Sequence, residues 1–472
     1  MTKNILLLLA FFISIFGIGI AQNTTTYTLE KCIEIAINNN LDLKSSILNA
    51  KTSKINYKQS KLDILPNLNA DYNIGINNGR SIDPFTNDYI NQELTFSNAG
   101  LSLNTTIFNG FRMMNSIKQN KFNLKASEME IEEAKQNLIL EVTLQYIQIL
   151  NNRDLINLSK SRLETTENQL KRLETLYKEG SINPVNYTDM QGQYSIDEMG
   201  VVTAENSLKS SVLELMRLLN LDTNSEKTFE NIFGLVASEK YQFSVDEIYK
   251  DALQNLATFK SKELKIEAAD KGIKVAKSNY FPSISLFGQL NTNYSSVAQS
   301  FTETGSTVTE TGDFVNINNQ EYPVLMNETQ FDTSKIDYND QFDNNLNSVV
   351  GVSVNIPLFN GFRAKNSVSL QKIQLEESEI ELERTKTTFK QSIEDAYNNM
   401  ESAFDRYHIL LNQVKVFEES FRVNEIRFNN GVSNIVEYIT SKNNLDTAKL
   451  NLNKTKYEYL LRVKILDYYR GV

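Results

Sequence analysis

Ile107 Phe108 Asn109 Gly110 Phe111 Arg112 and, 251 positions later, Leu358 Phe359 Asn360 Gly361 Phe362 Arg363 are two copies of one phrase. Each closes a run that alternates apolar with polar residues. Each then opens a long stretch of helical periodicity, with no proline from Gly110 to Gly180 or from Gly361 to Gly431. Asn can cap a helix through its side-chain oxygen, and Gly frees the backbone beside it, so the phrase predicts a strand-to-helix joint.

Upstream of the first copy, Leu68, Ala70, Tyr72, Ile74 and Ile76 alternate with Asn67, Asn69, Asp71, Asn73 and Gly75, and Leu101, Leu103, Thr105 and Ile107 alternate with polar or small residues. The second half repeats this at Ile284, Leu286, Gly288 and Leu290 and at Val350, Val352, Val354 and Ile356. Period two predicts strands with one apolar face. A strand of about ten residues rising ~3.3 Å per residue and tilted ~45° covers roughly 24 Å, close to the apolar band of a membrane barrel. A soluble sheet packed on a helix is the other reading. Polar faces rich in Asn, Ser and Gly suit a water-filled lumen, and Tyr280, Phe281, Phe108, Phe111, Phe359 and Phe362 stand where an interfacial aromatic girdle would.

Downstream, Val368, Leu375, Leu382, Phe389, Ala396, Ala403, Leu410 and Phe417 recur every seven residues, with a second seam at Met400, Tyr407, Val414, Phe421 and Phe428. The first half has Ile117, Leu124, Ile131 and Leu138, then Val142, Ile149, Ile156, Leu163, Leu170 and Tyr177, with a four-residue step between the two sets. These heptads predict coiled-coil rods of about 105 Å, too long for the core of one compact domain. Each rod ends in a matching turn, at Gly180 Ser181 and at Gly431 Val432, where Gly takes the left-handed cap and the chain returns.

The repeat extends further. Tyr27–Ile33 resembles Phe243–Tyr249 at an offset of 216, and Leu65 Pro66 matches Phe281 Pro282. The later offset of 251 places 35 extra residues inside the second hairpin. The expected organisation is a signal peptide over 1–21, repeat 1 over 22–220, a polar irregular connector over 221–242 and repeat 2 over 243–472. The strand pairs fall at about 67–107 and 283–358, the long helices at about 110–180 and 361–430. Lys3, the apolar run Ile5–Ile20 and the small residues Gly19 and Ala21 carry the signal-peptide reading; a retained anchor is its alternative, for which the run is short.

A formal charge of −10 and a pI near 5.1 argue against nucleic acid as a partner. The single cysteine, Cys32, makes no intramolecular disulfide and reads as a packed thiol. The lone His408 lies in a long helix, and no metal-ligand cluster, nucleophile elbow or phosphate loop occurs. No catalytic residue, cofactor or metal is expected. Four strands per chain cannot close a barrel, and an open sheet edge is not tolerated in lipid, so chains must pool strands. Two chains would give eight strands and a filled interior, three would give twelve and a lumen.

The duplication, strand pairs, rods and Tyr/Phe-x-x-Gly tips together resemble the TolC family of outer-membrane efflux and secretion ducts, over the whole mature chain. The resemblance implies an α+β membrane protein in the outer membrane of a Gram-negative type cell. It would be a homotrimer with a twelve-stranded barrel in lipid, four strands from each chain, joined to a coiled-coil helical tunnel through the periplasm. It also implies a passive duct whose tips dock onto a periplasmic adaptor, a membrane fusion protein, fed by an inner-membrane RND or ABC transporter. The matching docking positions are Tyr177, Gly180, Ser181, Phe428, Gly431 and Val432. Asp189 and Glu437 match the periplasmic entrance, although Thr440 stands where the family often carries another acid; a solvated helix charge is the other reading of Glu437. Phe108, Asn109, Gly110, Phe359, Asn360 and Gly361 become the joint of barrel and tunnel. A periplasmic coiled-coil adaptor is the alternative for the whole protein. The insert between Tyr294 and Asn347, with nine acids against Lys335, reads as an outward acidic lid or a mobile soluble loop.

Overall fold

The computed structural model describes residues 26–82, 87–91, 93–222, 228–231 and 240–472. The expected signal peptide over 1–21 lies outside the described residues. In chain order the first half holds β1 (Thr26–Tyr27), α1 (Leu29–Asn39), α2 (Leu41–Leu62), β2 (Asn67–Asn77), β3 (Arg80–Ile82), β4 (Tyr89–Asn91), β5 (Leu94–Asn109), α3 (Arg112–Lys178) and α4 (Pro184–Leu219). After β6 (Thr228–Phe229), the second half holds α5 (Val245–Asn255), α6 (Ala257–Lys277), β7 (Ser283–Ser295), β8 (Gln299–Ile317), β9 (Gln320–Lys335), α7 (Tyr338–Asn344), β10 (Asn347–Asn355), α8 (Arg363–Asn429) and α9 (Ile435–Arg470). The chain divides into two compact units: a helical unit containing Phe122–Ile266, Glu376–Val472 and the chain up to Lys54, and a sheet unit of Ile55–Lys121 and Glu267–Leu375.

In the helical unit, Thr28 caps α1 by accepting from the Lys31 amide, and Ser244 and Glu247 form a capping box on α5. One core gathers Cys32, Val142, Tyr146, Ile147, Leu150, Leu215 and Leu219; a second gathers Ile248, Phe259, Ile393, Met400 and Leu466. Cys32 and Ile248 occupy equivalent repeat positions and both are fully buried, so the cysteine serves as a small apolar group. The segment expected to be irregular supplies β6, which pairs in parallel with β1. The Tyr146 hydroxyl lies 2.8 Å from the carbonyl oxygens of both Tyr27 and Glu230, tying this small sheet to α3.

Both long helices contain 67 residues and both return helices 36. In α3 the buried stripe follows Leu138, Val142, Ile149 and Ile156, then steps by three to Ser159, Thr166 and Leu173. That step leaves Leu163 and Leu170 half-buried and Tyr177 exposed, where the heptads predicted a continuing seam. A straight helix drifts about 20° per heptad, and the step restores contact. In α8 nothing is buried between Ala403 and Phe428.

In the sheet unit, four antiparallel strands lie in the order β10-β7-β5-β2, so β5 and β7 join the two halves and, among the described residues, β2 and β10 are the edges. Register aligns the apolar rows: Leu68 faces Leu103, Leu103 faces Gly288, and Gly288 faces Val350. The opposite face carries Asn69, Ser102 and Gln289 in one row. Phe96 and Phe287 interrupt that polar face, each opposite a glycine; a Cβ on Gly75 would stand 2.8 Å from the Phe96 ring and one on Gly351 2.6 Å from Phe287. The expected alternation breaks at Ile107, which is bulged out of the β5–β7 ladder, so that Phe108 pairs with Ile284 on the apolar face.

The acidic insert is a long ribbon of β8 paired with β9, followed by α7, so it carries regular secondary structure. Its base is fixed by the buried Gln341, whose Nε2 donates to Ser295 O at 3.0 Å and to Ile336 O at 2.8 Å while its Oε1 accepts from the Ser295 amide at 2.9 Å. An acid-rich composition resembles a loop, but period-two pairing over this length forms a ladder.

Candidate functional site

The joints lie in the sheet unit. In the first copy Asn109 ends β5, and its Oδ1 accepts from the Met113 amide at 3.3 Å, capping α3. Gly110 and Phe111 both have φ of +64°. In the second copy Gly361 and Phe362 both have φ of +60°. A left-handed phenylalanine costs about 1–2 kcal/mol. The return is ring packing, since Phe111 meets Phe108 edge-on at 5.3 Å and Phe362 meets Phe359 at 5.8 Å. The surroundings differ. A Cβ on Gly110 would stand 2.7 Å from Ser278 O, whereas one on Gly361 would meet nothing within 4 Å.

The tips lie in the helical unit and close with the same hydrogen bonds. Ser181 N donates to Leu176 O and Val432 N to Arg427 O, both at 2.8 Å, around Gly180 at φ +71° and Gly431 at φ +73°. This is the six-to-one bond of a Schellman cap. Asn183 then caps α4 through the Val185 amide, and Asn434 caps α9 through the Glu437 amide. The tips pack on each other through Leu173, Met190, Phe428, Ile435 and Tyr438, and Arg172 donates across to Asn429 O at 2.8 Å.

Among the residues marked for docking, Tyr177, Gly180, Ser181, Gly431 and Val432 are exposed, whereas Phe428 stacks on Tyr438 at 5.0 Å inside the tip core. Tyr177 stacks on Tyr187 at 5.1 Å. Asp189 and Glu437 are both exposed. Glu437 Oε1 accepts from Asn434 Nδ2 at 3.2 Å, and Arg427 lies 4.0 Å from its carboxylate. Tyr438 is fully buried with its hydroxyl unpartnered, and burial pushes its pKa upward.

Sequence reasoning missed a buried charge cluster that ties α3, α4 and α9 together. Asp197 Oδ2 accepts from Lys442 Nζ at 3.0 Å and from Thr166 Oγ1 at 2.5 Å. Its Oδ1 accepts from Gln193 Nε2 at 2.8 Å. Arg162 Nε approaches Asp197 at 2.6 Å and Asp446 at 3.3 Å as an ion pair, without a directed hydrogen bond from that nitrogen. Lys442 Nζ also reaches Asp446 at 2.7 Å. Its sequence traces are the i,i+4 spacings of Gln193 with Asp197 and of Lys442 with Asp446. Among the described residues no group of His, Cys, Asp and Glu is arranged to hold a metal ion.

A family model described as outer membrane efflux protein matches residues 32–221 and 248–471. The chain belongs to the outer membrane efflux protein family. It is similar to the outer membrane protein TolC of Vibrio cholerae, 21% identical over 406 residues covering 86% of this chain and 81% of that protein. It is also similar to TolC of Escherichia coli, 22% identical over 417 residues, covering 87% and 75%. Its fold is that of the CmeC outer membrane channel of Campylobacter jejuni, with a TM-score of 0.75, 16% identity and coverage of 94% of this chain and 85% of that one. The efflux protein is therefore an outer-membrane protein of TolC-like fold, and the duct reading stands over the adaptor alternative. Its family is one of export conduits rather than enzymes.

Proposed function

We propose that this efflux protein is a passive duct, a homotrimer whose twelve pooled strands close a barrel in the outer membrane. The observation that carries this reading is the four-stranded sheet with two unpaired edges and an uncovered apolar face, on which Leu68, Ile74, Val350 and Val352 are each at least 60% exposed. In water such edges and such a face are liabilities; in lipid the face is satisfied and the edges require strands from other copies. Ile409, Val416 and Val423, spaced by seven and exposed on α8, offer the matching helical seam to a neighbouring copy. The polar sheet face lines the lumen, and Asp189 and Glu437 stand at the periplasmic entrance.

The exposed tip residues Tyr177, Gly180, Ser181, Gly431 and Val432 dock onto a periplasmic adaptor, and an inner-membrane RND or ABC transporter supplies the energy. Phe108, Asn109, Gly110, Phe359, Asn360 and Gly361 form the joint of barrel and tunnel. Reconstitution in planar bilayers tests the duct: discrete conductance steps that grow when the tip core is loosened by Tyr438→Ala are expected, and an absence of current from both proteins would refute the reading. Cysteine placed at Val432 should crosslink an adaptor in whole cells; recovery of crosslinks only to outer-membrane proteins would refute the docking assignment.

A further inference from the structure

Arg112 and Arg363 hold the same place in the two copies of the phrase, as the first residues of α3 and α8. Both line one cavity of about 480 Å³. Its strand side is a single cross-strand row, Asn109 paired with Ser283 and Ser283 with Asn355, which continues the polar face that carries Gln289. The cavity therefore opens on the face assigned to the lumen, and its role rests on the duct reading. No carboxylate lines it, in a chain that carries 58 acids against 48 bases. Along the paired rows of the polar face the one charged side chain among the described residues is Asp71. It is level with Asn291 of β7, roughly 27 Å along the strand from Ser283. Nothing on the strands offsets the two guanidiniums at close range.

Arg112 is held by neutral groups only: Nε donates to Ser278 Oγ at 3.2 Å and Nη2 donates to Asn279 Oδ1. Arg363 is exposed, and its guanidinium has no hydrogen-bond or ion-pair partner among the described residues. Both keep their full charge unneutralised. Neutral donors stand beside them. Asn109 Oδ1 is taken by the Met113 amide at 3.3 Å, which leaves its Nδ2 to donate. Two planar forks, amide donors and no counter-charge fit oxyanions, and two forks in one cavity favour an oxyanion with several charges. We propose that this cavity binds multivalent oxyanions inside the duct, with Arg112 and Arg363 on their oxygens. In a trimer the repeat would supply six guanidiniums, a positive collar where tunnel meets barrel. Cargo carrying clustered phosphate groups would be drawn to that collar and dwell there, whereas cationic cargo would be held off.

The test uses the full-length protein and two readouts, with tripolyphosphate as the probe and orthophosphate as the comparator. Calorimetric titration in detergent reads binding whether or not the protein conducts; block of single-channel current in planar bilayers reads whether the site faces the duct. The wild type should bind tripolyphosphate more tightly than orthophosphate, and the bound anion should reduce the current. Arg363→Gln should raise both the dissociation constant and the blocking concentration roughly tenfold, the loss expected for one charge-assisted pair. Lys365→Gln removes the same charge two residues on, outside the cavity, and should leave both unchanged. Wild-type affinity in Arg363→Gln would overturn the proposal, as would an equal loss in Lys365→Gln. Binding without block in a conducting protein would overturn the placement inside the duct. Tripolyphosphate binding that depends on Arg363 in a protein that never conducts would support the anion site and refute the duct reading instead.

Discussion

The first and second joints are built from nearly the same six residues and take the same left-handed Gly-Phe turn, yet Gly110 is packed against Ser278 and Phe281 and Gly361 faces open space. The reason lies in the sheet order. β5 is an inner strand with neighbours on both sides, whereas β10 is an edge. A duplicated sequence therefore repeats its local backbone, while the strand's place in the sheet decides what that backbone touches. The same lesson holds for the helices, where Asp197 in the first half corresponds to Ala448 in the second and only the first supports a buried charge cluster.

The sharpest way to break this contrast is at the glycines. Gly110→Val adds left-handed strain to a collision with the Ser278 backbone and should cost about 4 kcal/mol or more, abolishing heat-stable assembled protein. Asp197→Ala, which gives the first half the residue found in the second, leaves Arg162 and Lys442 without their buried carboxylate. It should cost about 3 kcal/mol in urea unfolding of the purified protein; a change under about 1 kcal/mol would show the cluster to be dispensable. Gly361→Val carries only the strain, about 1–2 kcal/mol, and should still assemble. If it fails as completely as Gly110→Val, the second joint is as crowded in the assembly as the first.

Cys32 against Ile248 supplies a contrast in pH. Burial pushes the thiol from its ordinary 9.0 up to about 12. Below pH 9.0 the folded and unfolded chains both hold the proton, so stability is unaffected. From pH 9.0 towards about 12 the unfolded chain ionises and the folded one does not, so stability falls. Relative to Cys32→Val, wild type should lose about 1.4 kcal/mol by pH 10, and parallel profiles for the two proteins would contradict it. The smallest effect is expected at the tip, where Glu437→Gln should change stability by less than about 0.5 kcal/mol, because its ion pair with Arg427 is long and exposed.

Much of this was legible in the sequence. The period-two runs around Leu68 and Val350 and the heptads around Val142 and Ala396 disclosed strands and rods, because burial of one face imposes a period on the chain. The bulge at Ile107 was not legible, since counting by twos cannot register a residue that leaves the ladder. The β8–β9 ribbon was hidden by its acids, which stand exposed on both faces of a two-stranded ladder, Glu303 across from Phe331 and Asp332 across from Thr302. Phe428 looks like Tyr177 in the repeat alignment, and only packing shows that one faces inward and the other outward. The i,i+4 pairs of the charge cluster on Asp197 could be read, but not their meeting, because its members come from three helices.

The matched helix lengths, 67 and 67, 36 and 36, make each chain a pair of equal rulers. Inserting one heptad into α3 alone would shift its tip by about 10.5 Å against that of α8 and pull Arg172 away from the Asn429 carbonyl. Inserting the same heptad in both long helices, with matching additions in both return helices, would keep the tips level. Gene duplication thus sets a metric constraint: this protein can change its reach only by editing both halves together.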